Sequence, residues 1–298
     1  MDAIAHGADL EVSLGGRRYR YIHDWARLPR GWSFGDQSGG RPPRTAVKGA
    51  YAGNAEIAVI SRGGRPVTVF DLEGRFVTAW GEGRFTPWLH GIAVTRDGSV
   101  WTVDAGSHIA VRHDRDGQVL QTLGDPFGPS RTVDARPFNM PTGLAEAPDG
   151  SLYVSDGYGN RRVHRFAPDG TLLHRWVGPG QGPGLFAEVH YVAVASDGRV
   201  FVTDRDNSVV QVFTPDGEHL ASWTGFDRPS DIAIAEGCAY VTARDGLFVL
   251  ELDGSRVGHL PADAVGPVPL RGHGIWLDPA GSIYLAQAGK VVSKLERF

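Results

Sequence analysis

The chain holds eleven histidines, and three of them share one local setting. They open the runs HGIAV at 90–94, HYVAV at 190–194 and HGIWL at 273–277, each the start of a β-rich stretch. Neutral imidazole is a good ligand for zinc and other first-row metals, and three of them leave a coordination position open for chemistry. A histidine at such a junction is otherwise a solvent-facing or hydrogen-bonded side chain. Equivalence separates His90, His190 and His273 from that plainer role. Aligned with the other repeats of the chain, the same position reads Val47, His90, Thr142, His190, Ser230, His273, so histidine occupies every second unit. In a six-fold ring the three lie about 120° apart around one mouth, which points to a His₃ metal site with zinc favoured.

Three further side chains follow the second strand of their units: Tyr158 in SDGYGN, Arg205 in TDRDN and Arg62 in ISRGG. Two short antiparallel strands return the chain to the face it left, so these turns look into the mouth the histidines surround. Each has an alternative role, a blade-packing aromatic for Tyr158 and a surface ion pair for each arginine. Asp156 and Asp204 read as turn caps. His108, His113, His164, His174 and His219 fall on outer strands or turns and are expected at the surface, and His6, His23 and His259 carry no signal.

The elements that must position these residues come from an internal repeat. HGIAVTRDGSVWTVD at 90–104, TGLAEAPDGSLYVSD at 142–156 and HYVAVASDGRVFVTD at 190–204 share one pattern, with weaker copies at 230–245 and 273–287. Each unit continues into a second hairpin, as in RRVHRFAPDGTLLHRW at 161–176 and SVVQVFTPDGEHLASW at 208–223. Asp-Gly between alternating apolar residues is a strong hairpin signal, and a period of about 40–50 residues with four strands matches a propeller blade. The segment 65–80 supplies the outer half of a first unit, which makes six. The last unit runs out of chain, and 16–25 has no unit of its own, so that strand is assigned to close the ring on the 273–298 blade. The expectation is an all-β, six-bladed β-propeller forming a single domain over 1–298. Residues 1–15 are expected to be a flexible tail, and 26–46 and 124–141 to be long loops on the faces.

Composition bounds the rest. Of 298 residues, 41 are glycine and 19 proline, which excludes a helical bundle or solenoid, while 41% hydrophobic content excludes a disordered tail. The balance of 30 basic against 34 acidic residues has no clustered basic footprint, so no nucleic-acid partner is expected. No apolar run approaches a membrane span. A single cysteine, Cys238, and the lack of a signal-peptide pattern at the N-terminus lead to a cytoplasmic expectation.

At FNMPTGLAEAPDGSLYVSDGYGNRRVHRFAPDG and PGQGPGLFAEVHYVAVASDGRVFVTDRDNSVVQVF the sequence resembles the NHL-repeat catalytic core of peptidyl-α-hydroxyglycine α-amidating lyase. The resemblance runs from about 46 to 290 and is strongest over 138–215. It implies a six-bladed propeller with catalytic zinc on His90, His190 and His273, a catalytic tyrosine at Tyr158, and active-site arginines at Arg62 and Arg205. The implied reaction splits a carbinolamide into an amide and glyoxylate. The chain departs from the family in lacking its disulfides, with Gly159 where the animal enzymes carry cysteine. Gly274 replaces an aspartate that helps bind a structural calcium in the family, which leaves a calcium site here one carboxylate short.

Two classes of function follow. The first is a metal-dependent lyase acting on a small α-hydroxylated amide or carbinolamine-like substrate, with metal-dependent lactone or ester hydrolysis as a variant. Lactonase propellers usually hold their metal with carboxylate and asparagine, which disfavours the variant. The second class is a non-catalytic NHL propeller that binds a macromolecule on one face.

Overall fold

The structure is a computed structural model that describes residues 10–35, 48–126, 128–129, 137–176, 178–266, 269–287 and 291–298. The described residues contain strands and turns and no helix. β1 (Leu10–Leu14) and β2 (Arg17–Ile22) come first. Blade 1 is β3–β6 (Lys48–Gly53, Glu56–Ile60, Val67–Asp71, Phe76–Trp80). Blade 2 is β7–β10 (Leu89–Val94, Val100–Asp104, Ile109–His113, Val119–Gly124). Blade 3 is β11–β14 (Gly143–Glu146, Leu152–Asp156, Arg162–Phe166, Leu172–Trp176). Blade 4 is β15–β18 (Val189–Val194, Val200–Asp204, Val209–Phe213, His219–Trp223). Blade 5 is β19–β22 (Asp231–Ala235, Cys238–Ala243, Gly246–Glu251, Arg256–Pro261), and blade 6 begins with β23–β25 (Gly272–Leu277, Ile283–Gln287, Val292–Arg297).

Each blade is an antiparallel meander whose strands run outward in chain order. The inner strands β3, β7, β11, β15, β19 and β23 touch one another in that cyclic order and β23 returns to β3, which is the six-bladed ring expected from the repeats. The Asp-Gly turns work as their chemistry requires. Gly98, Gly150 and Gly198 adopt φ of 81°, 84° and 87°, and the preceding Asp97, Asp149 and Asp197 each accept the backbone N–H two residues on.

The core lies between blades. Six buried clusters correspond to six blade interfaces, such as Trp101 and Val103 against Leu144 and Val154, or Ile57 and Phe70 against Trp276 and Tyr284. Alternation puts one face of every strand against each neighbouring blade, so the inner three strands are covered on both sides.

Ring closure follows the expectation in part and extends it. β2 pairs with β25 through Tyr19↔Arg297 and Tyr21↔Leu295, as expected for the 16–25 segment. Residues 10–14 are not a tail. They form β1, which pairs along β2 and makes the last sheet five-stranded, in the order β1-β2-β25-β24-β23. Tyr19 and Tyr21 are buried, and the Tyr21 hydroxyl joins Gln287 and Ser293, so the apolar and polar demands of this junction are both met. The remaining tail residues 1–9 lie outside the described part, as do 36–47 and, within the 124–141 loop, 127 and 130–136.

Candidate metal centre

His90, His190 and His273 converge. Their ring centroids stand 5.0, 5.2 and 4.9 Å apart pairwise, and one ligand atom from each lies within 4.8 Å of the others. Backbone geometry explains the aim. In β7 the pairing with β8 skips from Leu89↔Asp104 to Gly91↔Val103, which leaves His90 as an extra residue. The same skip falls on His190 between Val189↔Asp204 and Tyr191↔Thr203, and on His273 between Gly272↔Gln287 and Gly274↔Ala286. All three imidazoles therefore stand on β-bulges, devices that re-aim a side chain at the end of a ladder. Thr142 and Ser230, the counterparts in the intervening units, donate their backbone N–H to Ser155 O and Thr242 O.

The tautomers follow from the neighbours. His90 Nδ1 donates to Thr142 O at 2.7 Å, and His190 Nδ1 donates to Ser230 O, each the carbonyl of the equivalent residue in the next blade. With Nδ1 protonated, each Nε2 presents a lone pair to the channel. In the repeat alignment the counterpart that follows His273 is Val47, which lies outside the described residues. Burial holds the His90 and His190 imidazoles well below their usual range, with Lys48 adding to the effect at His90 and Arg205 at His190. Both rings are neutral at pH 7, the form a metal needs.

Tyr158 reaches into this cluster. Its hydroxyl lies 2.8 Å from His90 Nε2 and 3.3 Å from His190 Nε2, and it must be the donor because both nitrogens are acceptors. The turn that carries it lies hard against β15: a Cβ on Gly157 would sit 1.5 Å from Val189 O, so a glycine is required there. Asp156 anchors the turn by accepting Asn139 N and the Asn160 amide, and Asp204 does the same with Ala187 N, Glu188 N and Asn207. Both are caps.

The arginines take different stations. The Arg205 guanidinium stands 5.8 Å from the centre of the Tyr158 ring and is ion-paired with Glu188. Arg62 donates to Leu89 O, next to His90, and its guanidinium lies 5.1 Å from the Trp88 ring. Burial pushes the Tyr158 phenol up and Glu188 adds to the rise, while Arg205 and Arg62 pull it down. The six residues singled out in the sequence thus surround one mouth.

Two expectations about histidines are corrected. His113 and His164 are buried, not on the surface: His113 Nε2 meets Thr102 Oγ1 at 2.9 Å, and His164 Nε2 donates to Asp156 at 3.1 Å. Both lie on the third strand of a blade, where Trp80 of the preceding blade and Phe85 cover His113 and Phe138 covers His164. Sequence reasoning also missed Glu188, two residues before a proposed ligand, and the buried pair Lys48 and Asp231, whose Nζ and Oδ2 are 3.7 Å apart. The signal for the pair was present one position past the histidine column, where Lys48 and Asp231 stand among glycines.

Comparison with known proteins agrees with this architecture. The NHL repeat model matches residues 186–213, the segment that carries His190 and Arg205. NHL repeat-containing protein 3 of Homo sapiens is 32% identical over 215 residues, 68% of this chain and 60% of that protein. A probable peptidyl-α-hydroxyglycine α-amidating lyase of Caenorhabditis elegans is 28% identical over 165 residues, 54% of this chain and 46% of that protein. The chain therefore spans less than two thirds of the length of these relatives. Among solved structures, a gluconolactonase from Xanthomonas campestris superimposes with a TM-score of 0.70 at 19% identity, covering 94% of this chain and 90% of that one. The chain is an NHL-repeat propeller that resembles the amidating-lyase core. Among the described residues no helix is long and apolar enough to cross a membrane.

Proposed function

We propose that this protein is a zinc-dependent lyase that splits small α-hydroxylated amides into an amide and a carbonyl compound. The observation that carries the reading is the Tyr158 hydroxyl bonded to the inward Nε2 atoms of His90 and His190, a proton-transfer group set on a metal-ligand cluster. The residues fit the metal: His90, His190 and His273 would hold it, the tautomers of His90 and His190 leave Nε2 free of its own proton, and the donor set is all imidazole. That set favours zinc over calcium or magnesium, which prefer oxygen. When bound, zinc supplies Lewis acidity that draws electron density from a substrate oxygen.

The chain's own groups do the remaining work. Tyr158 takes the proton of the substrate hydroxyl as that carbon becomes a carbonyl. The carbon–nitrogen bond breaks with its electron pair moving to nitrogen, and Tyr158 returns the proton there, so atoms and charge balance. For the phenol to act as a base it must be ionised, and Arg205 and Arg62 favour the phenolate against burial. The same guanidinium groups suit a substrate carboxylate beside the reacting carbon. An N-acyl-α-hydroxyglycine meets these demands and would yield an amide and glyoxylate. Residence in the cytoplasm, suggested by the single unpaired Cys238, belongs to the same proposal.

The test is to incubate zinc-loaded protein with N-acyl-α-hydroxyglycines bearing aromatic and aliphatic acyl groups and to follow amide and glyoxylate by chromatography. Release above the metal-free control is expected. No release across the series would exclude the substrate class, and turnover of lactones or esters instead would make the protein a hydrolase.

A further inference from the structure

One residue past the histidine column, the six inner strands contribute Lys48, Gly91, Gly143, Tyr191, Asp231 and Gly274. Three glycines leave the space that three long side chains fill. A Cβ on Gly143 would lie 2.4 Å from the Tyr191 ring, so that ring is laid across the axis where glycine permits it, and its hydroxyl donates to Ile92 O at 3.0 Å. The Lys48 ammonium sits 3.8 Å from the centre of the same ring and 3.7 Å from Asp231 Oδ2. Asp231 accepts Ile232 N at 2.9 Å and, from β23, Ile275 N at 3.0 Å, two residues beyond His273.

Lys48 is 1% exposed, and among the described residues no acceptor lies within hydrogen-bond reach of its Nζ. A buried ammonium satisfied this poorly has a large desolvation cost and little directional bonding to offset it. Burial accordingly pushes Lys48 down to about 8 and Asp231 up to about 6. What the position does offer is a carboxylate and an aromatic face, the surroundings that bind a free monovalent cation. With a single carboxylate in the layer, one positive charge balances it and two would not.

We propose that this layer is a monovalent-cation site whose occupant the chain supplies itself. The Lys48 ammonium is a tethered ion, held by Asp231 and Tyr191, that closes the axial channel directly beneath the histidines. The mouth that holds the metal-ligand cluster is thereby separated from the funnel at the opposite end, a cavity of about 570 Å³ lined by residues such as Ile92, Leu144, Val192 and Ile275.

Removing the tether while keeping the site is the test. Lys48→Ala leaves a buried carboxylate without its counter-charge and a space where the side chain lay. In tetramethylammonium chloride, whose cation is too bulky for the layer, its melting midpoint should fall by about 6–10 °C, the scale of a broken buried pair in a chain of this size. Ammonium or potassium chloride at the same ionic strength should restore roughly half of that loss or more, and should leave the parent protein's midpoint unmoved. The double variant Lys48→Ala/Asp231→Asn should melt above Lys48→Ala and be indifferent to the cation. Should Lys48→Ala fail to fold in tetramethylammonium chloride, the yield of refolding in ammonium chloride replaces the melting midpoint, and recovery is required. A loss that is equal in all three salts, or a double variant no more stable than the single one, would overturn the proposal and reduce Lys48 to a packing residue. Turnover plays no part in these readouts, so the lyase proposal stands or falls separately.

Discussion

At the scale of single residues, two changes separate ligand from catalyst. Protein purified without a metal-binding tag should carry about one zinc per chain, and His90→Ala/His190→Ala should carry roughly a tenth of that or less, because one imidazole cannot hold the ion alone. Elemental analysis decides it; undiminished zinc in the double variant would place the metal elsewhere. Tyr158→Phe keeps the ring against Arg205 and removes only the hydroxyl that meets His90 and His190. Zinc content should be unchanged while kcat on the true substrate falls about 10²-fold or more, the usual scale for a lost proton-transfer group. The three histidines and Tyr158 are legible in the sequence because the repeat converts distance along the chain into angular position around the ring. Glu188 is not, since nothing local distinguishes a carboxylate that pairs with Arg205 from one facing solvent.

At the scale of elements, the bulges and the turns do the aiming. Gly157→Ala tests the turn that delivers Tyr158. The new methyl would meet Val189 O at 1.5 Å, and Val189 directly precedes His190, so strand and turn must part. A loss of about 1–3 kcal/mol in a urea titration is expected, the range for overpacking, together with impaired turnover at normal zinc content. A variant with parental stability would mean that the turn is looser than this geometry. Hairpins are readable from their Asp-Gly turns because that chemistry is local: the glycine takes a positive φ and the aspartate caps. The bulges are not readable, because an unpaired residue is defined by its partner strand. Burial of His113 and His164 escapes the sequence for a related reason. Which face of a third strand is covered by a neighbouring blade or loop is set by the ring, and the strand alone does not reveal it.

At the scale of the whole molecule, the ring gathers titratable groups where water does not reach, which makes stability depend on pH. His90 and His190 have folded-state pKa values well below 6.5, so between that value and more acid pH the unfolded chain binds protons that the metal-free folded protein does not. Stability is therefore fully present above about pH 6.5 and declines as pH falls, by up to about 1.4 kcal/mol per unit for each histidine. Asp231, pushed up to about 6, takes up a proton in the folded state below that pH and works in the opposite direction. The buried histidines, His113 among them, outnumber this carboxyl, so the net expectation is a decline as pH falls below about 6.5. Urea midpoints of metal-free protein from about pH 4.5 to 8 will show it, and a flat profile across about pH 5–6.5 would contradict the burial of these imidazoles. Closure of the ring by β2 is legible as a strand without a unit. The added strand β1 carries a local signal that its reading as a tail passed over: LEVSL alternates apolar and polar residues, and Gly15 and Gly16 turn the chain into β2.

The skipped pairings have a consequence for how such a site is acquired. Each ligand is a single residue inserted at the mouth end of an inner strand, while the pairing beyond it runs on undisturbed. A propeller of this kind can therefore gain or shed a metal ligand by one codon, blade by blade, without renegotiating its interior. The other units keep Val47, Thr142 and Ser230 at the same position, so exchange of one side chain there is the change by which its descendants would become enzymes or cease to be.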